Sequence, residues 1–192
     1  MLYYLAYGSN LHPQRLLQRV PSAEVIGTLE MAGYTLSFSK RSKYGSGKCT
    51  IRLPDSLAET DAAVALRARS QAAEPCMYGV LYRFHPSHKR ALERAEGTDG
   101  YQEQLVSCTV GNQQYQAFIY IARASHLDAS LKPYRWYKDF VAEGARYHRF
   151  PVEYLTWLQA VEAIPGTDPA RAANEEALLL KLRTYSIAHG RA

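Results

Sequence analysis

The chain has 192 residues, of which 47% are hydrophobic and 21% charged, close to the average soluble domain at about 45–50% and about 25%. That balance excludes intrinsic disorder, collagen and small disulfide scaffolds. Its 23 Lys and Arg against 18 Asp and Glu leave a formal charge of +5, an excess compatible with anionic small molecules but too mild to require a polyanionic partner. The length fits one domain, at roughly 100–200 residues each, so residues 1–192 are read as a single unit. No apolar run approaches the roughly 20 residues of a membrane-spanning helix. Met1 to Asn10 carries no basic n-region, so no secretory signal is expected. Cys49, Cys76 and Cys108 are odd in number and widely spaced, which fits free thiols packing as small apolar fillers in a reduced, cytoplasmic setting.

In chain order, Leu2 to Ala6 reads as a buried first strand, broken at Gly8-Ser9-Asn10. Pro13 suits a first helical turn, with Leu16, Leu17 and Val20 as its apolar stripe, ending before Pro21. Glu24 to Leu29 and Tyr34 to Ser39 read as strands, Lys40 to Lys48 as a basic Gly/Ser loop, and Cys49 to Leu53 as a short strand. Asp55 to Pro75, rich in Ala and charge and without aromatics, reads as a loop insertion. Cys76 to Phe84 alternates as a strand. Pro86 to Glu96 is helical and closed by Gly97. Tyr101–Val110 and Gln114–Ala122 form a hairpin across Gly111-Asn112. Helices follow, carrying Tyr134, Tyr137, Phe140 and Val141; then Leu155, Leu158 and Val161 after Pro151; then Leu178, Leu179 and Leu182 after Asp168-Pro169. The class is α+β with a mixed, barrel-like sheet. Residues 168–192 form a helical extension whose leucines are compatible with packing on the domain or in a homodimer.

Three stretches could carry chemistry. Tyr7-Gly8-Ser9-Asn10 lies between a strand and a helix, where Gly8 permits a sharp turn and exposed N–H groups make an anion pocket; ordinary turn chemistry also explains it. Glu96 stands at a helix C-terminus against the negative end of the dipole, an unfavourable placement of the kind that marks functional carboxylates, although most such residues are simply solvated. Glu93, one turn earlier, competes for the same role. Lys40 to Lys48 fails as a phosphate loop, since Ser42 and Cys49 stand where Gly and Ser or Thr are required; it reads as a solvated basic loop, with attraction of carboxylates as the alternative. His85 and His88 lack a third ligand, so no metal site is expected, and His88 reads as solvated. Ser9 lacks the nucleophile-elbow pattern. Most of the 15 tyrosines read as structural.

The order of these stretches resembles the γ-glutamyl cyclotransferase family. Leu2 to Leu11 is similar to its aromatic first strand and Tyr-Gly-Ser-Asn loop, Met77 to Tyr82 to its central Gly-Val strand, and Leu92 to Gly97 to the helix end carrying its catalytic glutamate. Pro133 to Lys138, Gly144-Ala145, Pro151 to Tyr154 and Ala163-Ile164 resemble its tail. The resemblance spans residues 2 to 165.

The resemblance implies a small mixed α+β, barrel-like (AIG2-like) fold and cyclisation of a γ-glutamyl amide to 5-oxoproline. Glu96 would be the catalytic general acid/base, with Tyr7, Gly8, Ser9, Asn10 and Tyr137 binding the substrate, and no cofactor. Asn10 favours the branch acting on γ-glutamyl amino acids. The implied partner is a small-molecule γ-glutamyl substrate rather than nucleic acid or membrane. The 55–75 stretch, the basic 40–48 loop and the extension after Asp168 depart from the family pattern, which leaves the leaving amine open. A non-catalytic binding module on the same fold is the alternative, and nucleic-acid binding through the basic loop a weaker one.

Overall fold

A computed structural model describes residues 1–52 and 76–191. The expected 55–75 insertion therefore lies outside the described residues. Five strands form a mixed sheet in the order β2 (Glu24–Met31), β5 (Met77–Phe84), β1 (Leu2–Ala6), β7 (Gln113–Ala122), β6 (Tyr101–Val110). The first strand is central: β1 runs antiparallel to β5 and parallel to β7. Buried on both sides, it reads as an unbroken apolar run with Leu5 and Ala6 fully covered. The sheet curls until its edges meet. A Cβ on Gly27 in β2 would fall 2.4 Å from Val110 Cγ1 in β6, so the barrel-like closure depends on the missing side chain there.

β3 (Thr35–Arg41) and β4 (Gly47–Arg52) pair as a separate two-stranded sheet. This corrects the expected loop over 40–48. Lys40 opposes Lys48 and Arg41 opposes Gly47 across the ladder, leaving only a short turn held by Ser42 and Ser46. Glycine, serine and lysine have poor strand propensity, but Gly47 lies so close to Phe38 that an added Cβ would meet its carbonyl oxygen at 1.9 Å. Lys40 is buried with its ammonium 4.6 Å from the centre of the Tyr101 ring.

The helices are α1 (Pro13–Leu17), α2 (Lys89–Glu96), α3 (Arg135–Tyr147), α4 (Val152–Ala160) and α5 (Pro169–Ala188). α2 stops where expected, at Gly97 with φ 76°, a left-handed cap that suits glycine. α3 buries its apolar face in the core, with Tyr137 edge-on to Phe38 of β3, and α5 packs on α3 with Leu179 and Leu182 buried. Leu180 points to solvent. Asp168 caps α5 by accepting from the Arg171 N–H. His88 is half-buried rather than solvated, its Nδ1 2.7 Å from the Ser22 hydroxyl. Cys49 and Cys108 are buried, Cys76 half-buried, and all three are free thiols. Among the described residues, no helix is long and apolar enough to cross a membrane.

His12 shows how tightly this framework is wired. It is fully buried and caps α1, its Nδ1 accepting from the Gln14 N–H at 3.2 Å while its Nε2 meets the Ser186 hydroxyl at 3.3 Å. That hydroxyl donates to the buried Glu143 carboxylate at 2.7 Å, so Nε2–H is the donor and the ring is neutral. Burial lowers the pKa of His12 and of His148 from 6.5 to about 4. As pH falls, the unfolded chain takes up these protons first, so stability is complete above about 6.5 and lost progressively towards 4. At pH 5, His12 alone costs about 2 kcal/mol. Thermal unfolding at pH 7, 6 and 5 should therefore show a falling midpoint. His12→Asn, which keeps a capping side chain, should flatten that slope, and an unchanged midpoint between pH 7 and 5 would refute the assignment.

Candidate active site

Six segments meet at one end of the sheet. β1 delivers Tyr4 and runs into the 7–10 turn, in which the Leu11 N–H donates to the Gly8 carbonyl at 3.0 Å. β4 contributes Cys49, the C-terminus of α2 contributes Glu96, and Tyr101, Tyr120 and Tyr137 come from β6, β7 and α3. These residues line a small cleft that is partly open to solvent. All six residues expected from sequence (Tyr7, Gly8, Ser9, Asn10, Glu96 and Tyr137) are in it, and Glu93 is not.

Gly8 is needed for close approach: a Cβ there would sit 3.1 Å from Cys49 Cβ. The N–H groups of Gly8, Ser9 and Asn10 donate to no protein acceptor among the described residues, and they border the cleft. Clustered free amides of this kind favour an anion.

Asn10 does more than the turn reading assigned to it. Its side chain is 2% exposed. Its amide NH2 donates to Glu96 Oε1 and, at 3.3 Å, to the Tyr4 hydroxyl, while its Oδ1 accepts from the Arg19 guanidinium. Both amide hydrogens are taken by protein, so of its donors only the backbone N–H is left for a ligand. The Arg19–Asn10–Glu96 chain fixes the carboxylate at the cleft, across 86 residues of sequence.

The aromatic walls are equally constrained. Tyr7 donates its hydroxyl hydrogen to the Tyr120 carbonyl. Tyr137 accepts from the Cys49 N–H at 3.1 Å, and Tyr101 donates to the Cys49 carbonyl at 2.8 Å. Burial is the first cause that raises the pKa of Tyr4, Tyr7, Tyr101, Tyr120 and Tyr137, with the nearby Glu96 charge acting in the same direction. Burial likewise pushes the Cys49 thiol up to about 12. The walls are thus neutral at pH 7, and Glu96 is the lining carboxylate. The Tyr120 hydroxyl is buried with no partner among the described residues. Sequence reasoning missed Tyr4, Cys49, Tyr101 and Tyr120 as lining residues. Only the alternation of each strand hinted that they face inward, and alternation does not say which end of the sheet carries a cleft. Among the described residues no cluster of His, Cys, Asp or Glu has metal-site geometry.

Comparison with known proteins gives a consistent result. Residues 76–158 match the AIG2-like family, a span that contains Glu96 and Tyr137 but neither the 7–10 turn nor α5. The chain is 24% identical over 159 residues to human gamma-glutamylcyclotransferase and 26% identical over 160 residues to the bovine protein, covering 83% of this chain and 78% of each relative. A solved structure of a gamma-glutamyl cyclotransferase superposes with a TM-score of 0.72 at 23% identity, covering 94% of this chain and 98% of that one, which establishes the shared fold. Family match, curated relatives and fold agree: the chain is similar to the AIG2-like family over its middle stretch and to gamma-glutamylcyclotransferases over most of its length.

Proposed function

We propose that the protein cleaves a γ-glutamyl amide by cyclisation, releasing 5-oxoproline and an amine. The observation that carries this reading is a single fixed carboxylate, Glu96, facing free backbone amides across a cleft with neutral aromatic walls. The cleft need not bring in a second reactant, because nucleophile and electrophile belong to one molecule. Held folded, such a pair reaches effective molarities of roughly 10⁵–10⁸ M.

The α-ammonium of the γ-glutamyl unit gives a proton to Glu96, and the freed amine attacks the γ-carbonyl carbon, forming the C–N bond of a five-membered ring. The carbonyl oxygen takes the negative charge, and N–H groups of the 7–10 turn are suited to receive it and the α-carboxylate. The intermediate collapses with cleavage of the original amide C–N bond as Glu96 returns the proton to the departing nitrogen, and the freed carboxylate takes the second hydrogen of the new ring nitrogen and passes it to the departing amine, which leaves as an ammonium ion. One carboxylate serves as base and then acid, a role worth about 10²–10⁴-fold. Asn10 is a positioning residue that acts through Glu96. Tyr7 and Tyr137 shape the wall that keeps the substrate folded, and the Tyr120 hydroxyl is available to a substrate polar group.

The reading predicts release of 5-oxoproline from γ-glutamyl-alanine, with kcat in Glu96→Gln reduced by about 10²–10⁴-fold. Undiminished turnover in that variant would remove Glu96 from the mechanism. Binding of the dipeptide without turnover by the wild-type chain would instead identify a non-catalytic binding module. Asn10→Ala frees the Glu96 carboxylate without removing it. Since about 1 Å of misplacement can cost around 100-fold, kcat should fall by up to about that factor with KM nearly constant, and Arg19→Gln should act in the same direction more weakly. A rise in KM at constant kcat would show that Asn10 binds substrate instead.

A further inference from the structure

Glu96 also lines a second, larger recess, and there the lining changes from aromatic to cationic. The outer recess is lined by six Lys and Arg side chains, Lys40, Arg41, Lys43, Lys48, Arg94 and Arg171, against two carboxylates, Glu96 and Asp99. Arg41 is paired with Asp128 at 3.3 Å. Lys48 has no ion-pair partner among the described residues, and it also lines a smaller recess with Arg15, Arg19, Arg171 and Glu96.

Two arginines here are incompletely satisfied. Arg171, from the first turn of α5, lies with its guanidinium carbon 3.9 Å from the Tyr44 ring centre and 5.2 Å from that of Trp136. Its Nε is 3.9 Å from Glu175, yet its Nη1 is buried without a partner among the described residues. The Arg15 side chain is 6% exposed, stacks 3.6 Å from the Phe140 ring centre and reaches the same Glu175 at 3.7 Å, leaving its Nε unpartnered. One carboxylate is thus shared by the buried guanidinium of Arg15 and the half-buried one of Arg171. Buried donors without acceptors are costly, and charged ones more so. The mutual repulsion is visible in the ammonium groups. The pKa of Lys48 is lowered by burial first, with Arg19, Arg171 and Arg15 adding to the effect and Glu96 opposing it. Lys40 is lowered by burial and then by Lys48. The aromatic stacking fixes the guanidinium planes, the arrangement in which arginine recognises carboxylate or phosphate. Because these groups line a concave recess continuous with Glu96, they suit a small anion rather than a nucleic acid or a membrane face.

Resting on the cyclisation reading above, we propose that the leaving group is an amine bearing at least two negative charges, held in the outer recess by Arg171 and Lys48 as specificity-determining residues. A single α-carboxylate occupies one of these cations and leaves the other facing like charge. Two carboxylates, or one phosphate, answer both. Arg171 lies outside the stretch matched to the AIG2-like family, so this specificity belongs to the C-terminal helix of this chain.

The test uses the full chain and four substrates scored by 5-oxoproline release: γ-glutamyl-ethylamide with no anionic group on the leaving amine, γ-glutamyl-alanine with one carboxylate, γ-glutamyl-glutamate with two, and γ-glutamyl-phosphoethanolamine with one phosphate. kcat/KM should rise about tenfold from ethylamide to alanine and again to the better of the two dianionic substrates, about the effect of one charge-assisted hydrogen bond each. Whichever dianion leads identifies the source of the charge. The preference should shrink with added salt. Arg171→Gln should reduce the dianion-to-ethylamide ratio by about tenfold, whatever its effect on absolute rates, and Arg171→Lys should recover part of it. Equal kcat/KM for the four substrates, or a uniform loss in Arg171→Gln, overturns the proposal. If no substrate yields 5-oxoproline, the cyclisation reading fails on its own. Calorimetric titration of wild type and Arg171→Gln with γ-glutamyl-glutamate and γ-glutamyl-ethylamide then decides the anion site: a wild-type preference lost in the variant supports it, and no preference overturns it.

Discussion

The side-chain amide of Asn10 ties together parts of the chain that have no other reason to meet. It takes a hydrogen bond from Arg19 on one side and gives hydrogen bonds to Glu96 and Tyr4 on the other. Buried amides are stable only when their donors and acceptors are matched, so the short helix α1, the turn after β1 and the end of α2 are placed relative to one another by this group. A carboxylate left to solvent at the end of a helix would sample many rotamers. Here it has one anchored position beside free backbone amides.

The rest of the fold serves that placement. β1 lies between β5 and β7, so the turn that follows it emerges at the middle of the sheet rather than at an edge. Tyr7 is tied to the β7 backbone and Tyr137 and Tyr101 to the β4 backbone at Cys49, which links the two sheets at the cleft. Gly144 in α3 lets the helix lie against the same turn, since a Cβ there would fall 2.4 Å from Leu11 Cβ. Tyr82 and His148 both bond the Leu11 carbonyl, at 2.7 and 2.9 Å, closing the turn from the opposite side. The inner half of the cleft is consequently rigid and neutral apart from Glu96. The outer half, built by the β3–β4 hairpin and the start of α5, carries unbalanced positive charge. The proposed reaction chemistry and the proposed leaving-group choice thus fall to different segments of the chain.

What could be read from the sequence were features with a local physical cause. The Gly97 cap, the Gly111-Asn112 hairpin, the apolar β1 run and the Pro13 and Pro169 helix starts each depend on a few adjacent residues, and each occurs where expected. The order of the Tyr-Gly-Ser-Asn turn and the Glu-Gly helix end pointed to the cleft before its geometry was known. Features decided by distant partners were illegible. Lys40 to Lys48 has the composition of a loop, but burial of Lys40 against Tyr101 and the close approach of Gly47 to Phe38 make it a hairpin. Nothing near Asn10 in sequence reveals that its amide faces Glu96, and nothing near Arg171 reveals that α5 carries it over Tyr44 beside the cleft. The leucines of α5 were visible, but which of them faces α3 was not.

The central claim is that Glu96, held by Asn10, works on the nitrogen of a ring formed against the 7–10 amides. The most direct measurement is a crystal structure of the full chain with 5-oxoproline bound. The account predicts the ring in the inner cleft, its nitrogen within about 3.2 Å of a Glu96 carboxylate oxygen and its carboxylate or carbonyl oxygen taking hydrogen bonds from the backbone of Gly8, Ser9 or Asn10. Product bound outside this cleft, or seated in it with Glu96 turned away towards solvent, would contradict it.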